Sequence, residues 1–380
     1  MKWEQKYLDE LGTISRGKSK HRPRNDPSLF NGLYPFIQTA DVKNANFYIT
    51  EYSQTYNEKG LAQSKLWKQG TLCITIAANI ADTGILGIDA CFPDSIMGFI
   101  PYEDKSDVRY VKYCFDILQK QCQQISQGAT QDNLSLEKLS TIKFPTPPIR
   151  IQKKIADILS TYDDLIENNQ KQIKLLEEAA QRVYKEWFVD LRFPGHENTP
   201  IIDGIPQGWK KELVANVIEK SYRSKQVMTA DYLAEGKIPI IDQSRDFIAG
   251  YTDDEETLVF LGKPVIVFGD HTRVLKYIQF PFAKGADGTQ LIVSKCENMP
   301  QSLLYLSLLN VDLSNYHYAR HFKYLKAEEI IIPNIEIAAK FDCLVSPIFK
   351  KVQILRDQII GAQQARDRML PKLMSGELEV

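Results

Sequence analysis

The 380-residue sequence lacks any apolar run of the roughly 18 residues that a membrane span needs. No apolar core follows Met1–Lys6, so we expect no secretory signal. The six cysteines never form a C-x-x-C pair, which is typical of free thiols in a reducing compartment. Among five histidines, His317 and His321 are four apart, but Tyr318 stands where the metalloprotease pattern needs Glu. These absences predict a cytoplasmic protein without a membrane span or a metal site.

An excess of charge of either sign is also missing, because 47 Lys and Arg balance 48 Asp and Glu to a net charge of −1. A strongly basic chain would have indicated a nucleic-acid partner directly. Any DNA-binding surface must therefore be a local basic patch with acidic residues elsewhere. The length and the 43% hydrophobic content are sufficient for two domain cores.

The sequence does contain a faint repeat of a globular head followed by a long helix. Each head has a short strand after a turn, then an apolar run that suits a strand buried on both faces. Each head also ends at a proline, which predicts an extended exit strand. The matching segments are 34–42 with 238–246, 70–77 with 262–269, and Ile142–Pro145 with Ile330–Pro333.

The two predicted helices share a heptad pattern. Ten positions that step by four and three from Ile151 hold eight apolar residues, and adding 190 to each number gives a second set with nine. Such spacing predicts two helices paired antiparallel as a coiled coil, each about 54 Å long at 1.5 Å per residue. The predicted seam includes Ile151, Ile155, Ile158, Leu165 and Leu176 of the first helix and Val345, Ile348, Val352, Leu355 and Ile359 of the second.

Polar residues and a proline interrupt this pattern. A helix interior disfavours Pro347, so we expect the second helix to break there, with Ser346 capping a new helix. Asn169 and Gln172 lie in the middle of the first seam. They are either tolerated polar defects or a device that penalises slipped pairings.

Residues 147–195, from PPIRIQKKIADIL to DLRFPG, resemble the central conserved region of type I restriction–modification specificity subunits. Residues 366–380 resemble the end of that family, and Trp3 and Pro206–Trp209 fit the starts of its heads. The resemblance implies an α+β fold in which two mixed α/β target-recognition domains are joined by two long antiparallel coiled-coil helices with a pseudo-twofold repeat. The implied limits are 1–146 and 193–333 for the recognition domains, and 147–192 and 334–380 for the central and C-terminal helices.

The resemblance also implies a function. The chain would be a non-catalytic subunit that reads a bipartite double-stranded DNA target with a non-specific spacer. It would bind two modification methyltransferase subunits and a restriction (translocase) subunit. S-adenosylmethionine, ATP and Mg²⁺ would be held by those partners and not by this chain. The second exit, IPNIEIAAKFD, lacks the PP-x-x-x-Q form of 147–152, which puts strict twofold symmetry in doubt.

DNA contacts require cations for phosphates and polar side chains for base edges. In each head these residue types occur in a segment near the start, after the buried strand, and before the exit strand. The candidates are Arg16, Lys18, Lys20, Arg22, Arg24, Asn79, Gln131 and Asn133 in the first head, and Arg223, Lys225, His271, Arg273, His317, Arg320, His321 and Lys323 in the second.

Three other functions have weaker support. Asp94 followed by Glu103-Asp104-Lys105 resembles a metal-dependent nuclease site, but the pattern is short and the second head has no copy. A methyltransferase would need an N/D-P-P-aromatic motif, and Thr146–Ile149 lacks both the acid or amide and the aromatic residue. A coiled-coil scaffold or adaptor remains open, because helical seams are not specific to one function.

Overall fold

A computed structural model of the chain describes residues 3–77, 80–127, 134–219, 224–316 and 320–380. The chain forms two compact units, one of 1–170 with 357–380 and one of 171–356. Each unit mixes strands and helices, so the fold is α+β. Within the described ranges, no helix combines the length and apolar character needed to cross a membrane.

The first unit has two main sheets. A five-stranded sheet runs in the order β2-β10-β7-β8-β4, a four-stranded sheet runs β5-β3-β9-β6, and β1 pairs with β11. The strands are β1 Glu4–Tyr7, β2 Gly12–Arg16, β3 Phe30–Phe36, β4 Tyr48–Ile49, β5 Gln54–Tyr56, β6 Leu66–Trp67, β7 Leu72–Thr75, β8 Thr83–Leu86, β9 Ala90–Cys91, β10 Ile96–Pro101 and β11 Lys143–Thr146. The helices are α1 Leu8–Leu11, α2 Thr39–Asn44, α3 Glu58–Ala62, α4 Val108–Gln127, α5 Leu136–Leu139 and α6 Ile149–Tyr184.

The second unit has a three-stranded sheet β20-β19-β22 and a sheet β15-β21-β16-β17 with β18 also on β21. Its strands are β12 Ile201–Ile202, β13 Ile205–Pro206, β14 Lys210–Leu213, β15 Gln226–Val227, β16 Ile238–Ile241, β17 Gly250–Thr252, β18 Leu258–Val259, β19 Val265–Gly269, β20 Leu275–Ile278, β21 Phe282–Gly285, β22 Thr289–Ile292 and β23 Glu329–Ile332. Its helices are α7 Val214–Val217, α8 Gln301–Leu309, α9 His321–Ala327 and α10 Ile335–Ser375, the last of which continues into the first unit.

The entry and exit of each head are built alike. β1 pairs antiparallel with the exit strand β11, and β14 pairs antiparallel with β23. The predicted exit strands and the fully buried strands β7 and β19 are therefore confirmed. The first head extends from β1 at Glu4 to β11 at Lys143, and the second extends from β14 at Lys210 to β23 at Glu329. The second head is thus the shorter of the two between its entry and exit strands.

The long helices contact each other within each unit. In the first unit, Asn169 donates to Gln358 at 3.1 Å, and Asp163 accepts from Arg366. In the second unit, Arg356 donates to Glu177 at 2.7 Å. Within the first unit, partner numbers fall along α10 as they rise along α6, which is the pattern of antiparallel helices.

The prediction of a break at Pro347 is wrong, because α10 runs without interruption from Ile335 to Ser375. Cys343, four residues earlier, and Pro347 are both exposed, so the carbonyl group that loses its helical partner faces solvent. Val345 and Phe349 are buried on the opposite face and hold the helix against the head. Ser346 donates to Asp342 at 2.6 Å and does not cap a new helix.

The predicted seam of the first helix is displaced by one position at Leu165. Leu165 is 42% exposed while Ile166 is buried, so Leu165 is wrong as a seam residue. The sequence predicts that equivalent positions of the two helices differ by 190 in residue number. Because α6 begins at Ile149 and α10 begins at Ile335, the difference between their first residues is smaller than 190. When the two helices are aligned at their first residues, six buried positions of α6 coincide with buried positions of α10. These are 152, 155, 159, 163, 166 and 169 with 338, 341, 345, 349, 352 and 355.

The remaining predicted seam residues differ in burial. Fully buried are Ile155, Val345, Val352 and Leu355, and partly buried are Ile151, Ile158, Leu176, Ile348 and Ile359. Gln172 is partly buried, whereas Asn169 is buried and bonded. The limits assigned to the recognition domains and helices stay a prediction.

Candidate nucleic-acid interface

The basic segment 15–24 begins at the end of β2 and is attached to the first head by its backbone. Gly17 donates to Ile96 at 2.8 Å, and Lys18 donates to Phe92 at 3.0 Å. A Cβ at Gly17 would lie 2.3 Å from the Pro93 carbonyl oxygen, so only glycine allows this close approach. The segment is therefore a fixed surface feature of the head.

The five cations of this segment fall into two groups. Arg16 and Lys20 are exposed and Lys18 is partly buried, and none of them makes an ion pair within the described ranges. Arg24 donates twice to Asp94, at 2.7 and 2.8 Å, and Arg22 lies 3.9 Å from the same carboxylate. These pairs are half exposed, so they orient the guanidinium groups more than they stabilise the fold.

The pairing of Asp94 also bears on the nuclease pattern. Its carboxylate is occupied by Arg24, and β10 separates it from Glu103. Over the part of the chain that the structure describes, no group of three or more His, Cys, Asp or Glu side chains is placed to hold a metal ion.

A polar groove of about 690 Å³ opens beside the basic segment. Its walls are β3, the start of α2, the segment before and within β5, and Arg24 with Asn25. Gln38 and Gln54 face each other across it, with the Gln38 amide nitrogen 2.8 Å from the Gln54 amide oxygen. No carboxylate is among the described residues that line the groove.

Sequence reasoning missed this groove. Its polar side chains are spread over 19–95 and form no run, and Gln38, Asn31 and Tyr52 come together only through the pairing of β3 with β5. The one feature of the sequence that could have indicated the groove is the Asn and Gln content of residues 25–57. These side chains carry no charge, so a search for charged segments does not detect them.

Lys225 of the second head is clamped by two carboxylates. Its ammonium lies 2.8 Å from both Asp254 and Glu256. Hydrogen bonds to Asp254 and then to Glu256 raise the pKa of Lys225 above its usual range. Because its charge is already matched twice, Lys225 is a weaker candidate for a phosphate contact than the unpaired cations.

His321 is a structural residue, and its prediction as a DNA contact is wrong. It is 4% exposed, and its ring nitrogens lie 2.8 Å from the Asp270 carbonyl oxygen and 2.9 Å from that of Tyr316. The Phe322 amide also donates to the Asp270 carboxylate, at 2.7 Å. The ring therefore ties the start of α9 to the turn after β19.

This tie brings two predicted regions of the second head together. Arg273 of the turn donates to the Tyr316 carbonyl oxygen at 3.0 Å, and its backbone φ is +62°. His271 is exposed on the same turn, and Arg320 and Lys323 are exposed on the adjoining segment. The arrangement yields a small basic surface beside the turn.

Predicted residues Asn79, Gln131, Asn133, Arg223 and His317 lie outside the described residues.

Comparisons with known proteins agree with this architecture. A family model for the type I restriction modification DNA specificity domain matches residues 1–178. The chain is similar to the MjaIX type I restriction enzyme specificity subunit of Methanocaldococcus jannaschii, at 27% identity over all of this chain and 94% of that protein. It is also similar to the HindI specificity subunit of Haemophilus influenzae, at 29% identity over 47% of this chain and 40% of that protein.

The fold has a solved counterpart. The S subunit of a type I restriction–modification system from M. genitalium superimposes with a TM-score of 0.62 at 15% identity, covering 98% of this chain and 96% of that one. Over residues 1–178 the sequence is therefore similar to the type I restriction modification DNA specificity domain, and over nearly its whole length the fold is similar to that of an S subunit.

Proposed function

We propose that this chain is the sequence-specific DNA-binding subunit of a type I restriction–modification complex and has no catalytic site of its own. It reads a bipartite target with a non-specific spacer. The observation that carries the proposal is the fixed basic segment of the first head beside a polar groove whose described lining residues include no carboxylate. Cations there neutralise phosphates, and the groove presents amides that suit base edges.

The two heads read the two halves of the target. The long helices α6 and α10, paired antiparallel, act as the spacer that separates the recognition domains. Two modification methyltransferase subunits and a restriction subunit assemble on this chain, and the partners hold S-adenosylmethionine, ATP and Mg²⁺. The similarity to named specificity subunits over the full chain supports this assembly.

Mapping of methylated sites in cells that carry or lack the gene tests the proposal. We expect one two-part motif that disappears with the gene. With the purified chain in complex with its methyltransferase subunit, affinity for that duplex should fall steeply with added salt because counterions are released from DNA. Salt-independent binding, or no sequence preference, would instead favour a scaffold or adaptor.

Substitution of single exposed cations tests the same proposal at individual residues. Arg16→Ala and Lys20→Ala should each weaken binding to every duplex about equally, and each should reduce the salt slope by about one for every phosphate that is no longer neutralised. Lys225→Ala is the matched control, since its charge is already held by Asp254 and Glu256.

A further inference from the structure

The groove of the first head is a preformed surface. Phe36 stacks on Tyr56 with ring centroids 4.0 Å apart, and Phe30 packs against both rings. The strands that carry these rings, β3 and β5, are paired in register from Tyr34 to Phe36. Side chains at the ends of these strands are therefore presented from a rigid support, as precise recognition of a ligand requires.

Gln38 and Gln54 extend from this support as a bonded amide pair. The Gln38 amide nitrogen donates to the Gln54 amide oxygen at 2.8 Å. This bond leaves the Gln54 nitrogen as a donor, and the Gln38 oxygen, which also faces the Asp41 backbone amide in the capping box of α2, keeps a second lone pair as an acceptor. If the oxygen and nitrogen atoms of both amides are exchanged, the Gln38 oxygen accepts from the Gln54 nitrogen. The pair then still offers one donor and one acceptor.

Of the two purines, adenine is the one whose major-groove edge a donor together with an acceptor matches. Adenine offers the N6 amino group as a donor and N7 as an acceptor in the major groove, whereas guanine offers two acceptors there. A single Asn or Gln commonly makes this bidentate contact, and the pair presents the same two functions with less freedom. No carboxylate is among the described residues that line the groove, and the Asp94 carboxylate at its rim is paired with Arg24.

Arg24 provides the neighbouring anchor. It lines the same groove, and its Nη2 contacts both carboxylate oxygens of Asp94, which holds the guanidinium at the rim. A guanidinium has five N–H donors, so those not directed at Asp94 remain for a phosphate oxygen. A phosphate held there would place the duplex beside the amide pair.

We infer that Gln38 and Gln54 together read an adenine of one half-site by its major-groove edge, an assignment that rests on the proposed DNA-reading function. Arg24 positions the duplex and does not itself select the base. The pair determines specificity at one position of the target, and the second half-site is independent of it.

The test uses the full chain bound to its methyltransferase subunits and a duplex carrying the mapped target. Each adenine of each half-site is replaced in turn by 7-deazaadenine, which lacks the N7 acceptor. We expect the unaltered complex to lose about tenfold in affinity at one adenine of one half-site. The double variant Gln38→Ala/Gln54→Ala should bind the natural duplex about tenfold more weakly than the unaltered complex does. Its affinity should not change further when 7-deazaadenine stands at that position.

Gln69→Ala is the matched control, because Gln69 is an exposed amide of the same head outside the groove. It should keep the full response to 7-deazaadenine. The inference is overturned if 7-deazaadenine lowers the affinity of the double variant as it does that of the unaltered complex at every adenine. If the double variant no longer binds DNA, the two single variants are tested instead, and the same result for both overturns the inference. In those outcomes the two-part motif of the unaltered complex still stands, whereas absence of any motif would overturn the proposed function as well.

Discussion

His321 shows how a single buried side chain organises part of the second head. Its two ring nitrogens lie 2.8 Å from the Asp270 carbonyl oxygen and 2.9 Å from the Tyr316 carbonyl oxygen. The ring thus connects the turn after β19 with the start of α9, next to the exposed Arg320 and Lys323.

Replacing this ring should therefore destabilise the second unit. We expect His321→Ala to lower the free energy of unfolding by about 2–3 kcal/mol, since the buried ring and its contacts with the Asp270 and Tyr316 carbonyl oxygens are lost, while the backbone amide of residue 321 still donates to Asp270. Chemical denaturation monitored by circular dichroism measures the change, with the exposed neighbour Lys323→Ala as control. An effect of His321→Ala no larger than that of the control would contradict the structural role.

Lys284 is a buried cation in the sheet of the same head. It is 8% exposed on β21, and burial lowers the pKa of its ammonium group. In the folded chain the proton is therefore lost at a lower pH than in the unfolded chain. The buried charge destabilises the folded chain by its full amount below the folded pKa. This destabilisation declines as pH rises from the folded pKa towards the ordinary lysine pKa.

Lys284→Met should accordingly raise the free energy of unfolding at pH 7, by about 1 kcal/mol, because the substitution keeps the apolar length and removes the charge. The advantage over the unaltered protein should shrink as pH is raised from 8 to 10. Denaturation series at several pH values measure it. A difference that stays constant with pH would show that the charge is not the cause.

At the scale of elements, the pairing of α6 with α10 in the first unit depends on a buried carboxylate. Asp163 is 1% exposed and accepts from the Tyr113 hydroxyl of α4 and from the Arg366 guanidinium of α10. Burial, followed by the Asp163 charge, raises the pKa of Tyr113, so the phenol stays a donor. One side chain thus joins three helices.

Asp163→Ala should lower the free energy of unfolding by about 3 kcal/mol, because the buried acceptor of Tyr113 and Arg366 is lost, while Arg366 keeps its pair with Asp367. Adding Arg366→Met should restore much of this loss, since the pair is then replaced by apolar contacts. Thermal and denaturant unfolding provide the measurement, and the exposed neighbour Asp164→Ala is the control. Additive losses in the double variant would contradict a coupled pair.

At the scale of the whole molecule, the proposed spacer can be lengthened without touching either head. Seven residues inserted in both helices, after Gln170 and before Asp357, keep the heptad phase and add about 10 Å. That corresponds to about three base pairs at 3.4 Å each. Methylation mapping should find both half-sites unchanged and a gap about three base pairs longer.

Insertion into α6 alone is the control for this experiment. It shifts the register that Asn169 and Gln358 maintain, so we expect weak or absent methylation. If the double insertion altered bases within the half-sites, the heads and the spacer would not be separable parts of the molecule.

The sequence by itself determined the doubling of head and helix, the exit strands before Pro145 and Pro333 and the buried strands β7 and β19. These features follow from local rules, since proline ends an extended segment and apolar periodicity reports which residues are buried. The family resemblance of 147–195 was equally local. Periodicity alone did not determine the phase of the first seam, because adjacent apolar positions such as Leu165 and Ile166 fit the same pattern.

Only the tertiary structure decided which of the predicted residues are exposed and which are buried or paired. Packing of Val345 and Phe349 on the head carries α10 through Pro347, which local rules predict as a break. Burial turns His321 from a candidate contact into a structural tie, and carboxylates of the distant segment 254–256 match the charge of Lys225. The groove of Gln38 and Gln54 arises from the pairing of β3 with β5 and from contacts between residues far apart in the chain. Such contacts depend on distances that sequence spacing does not encode.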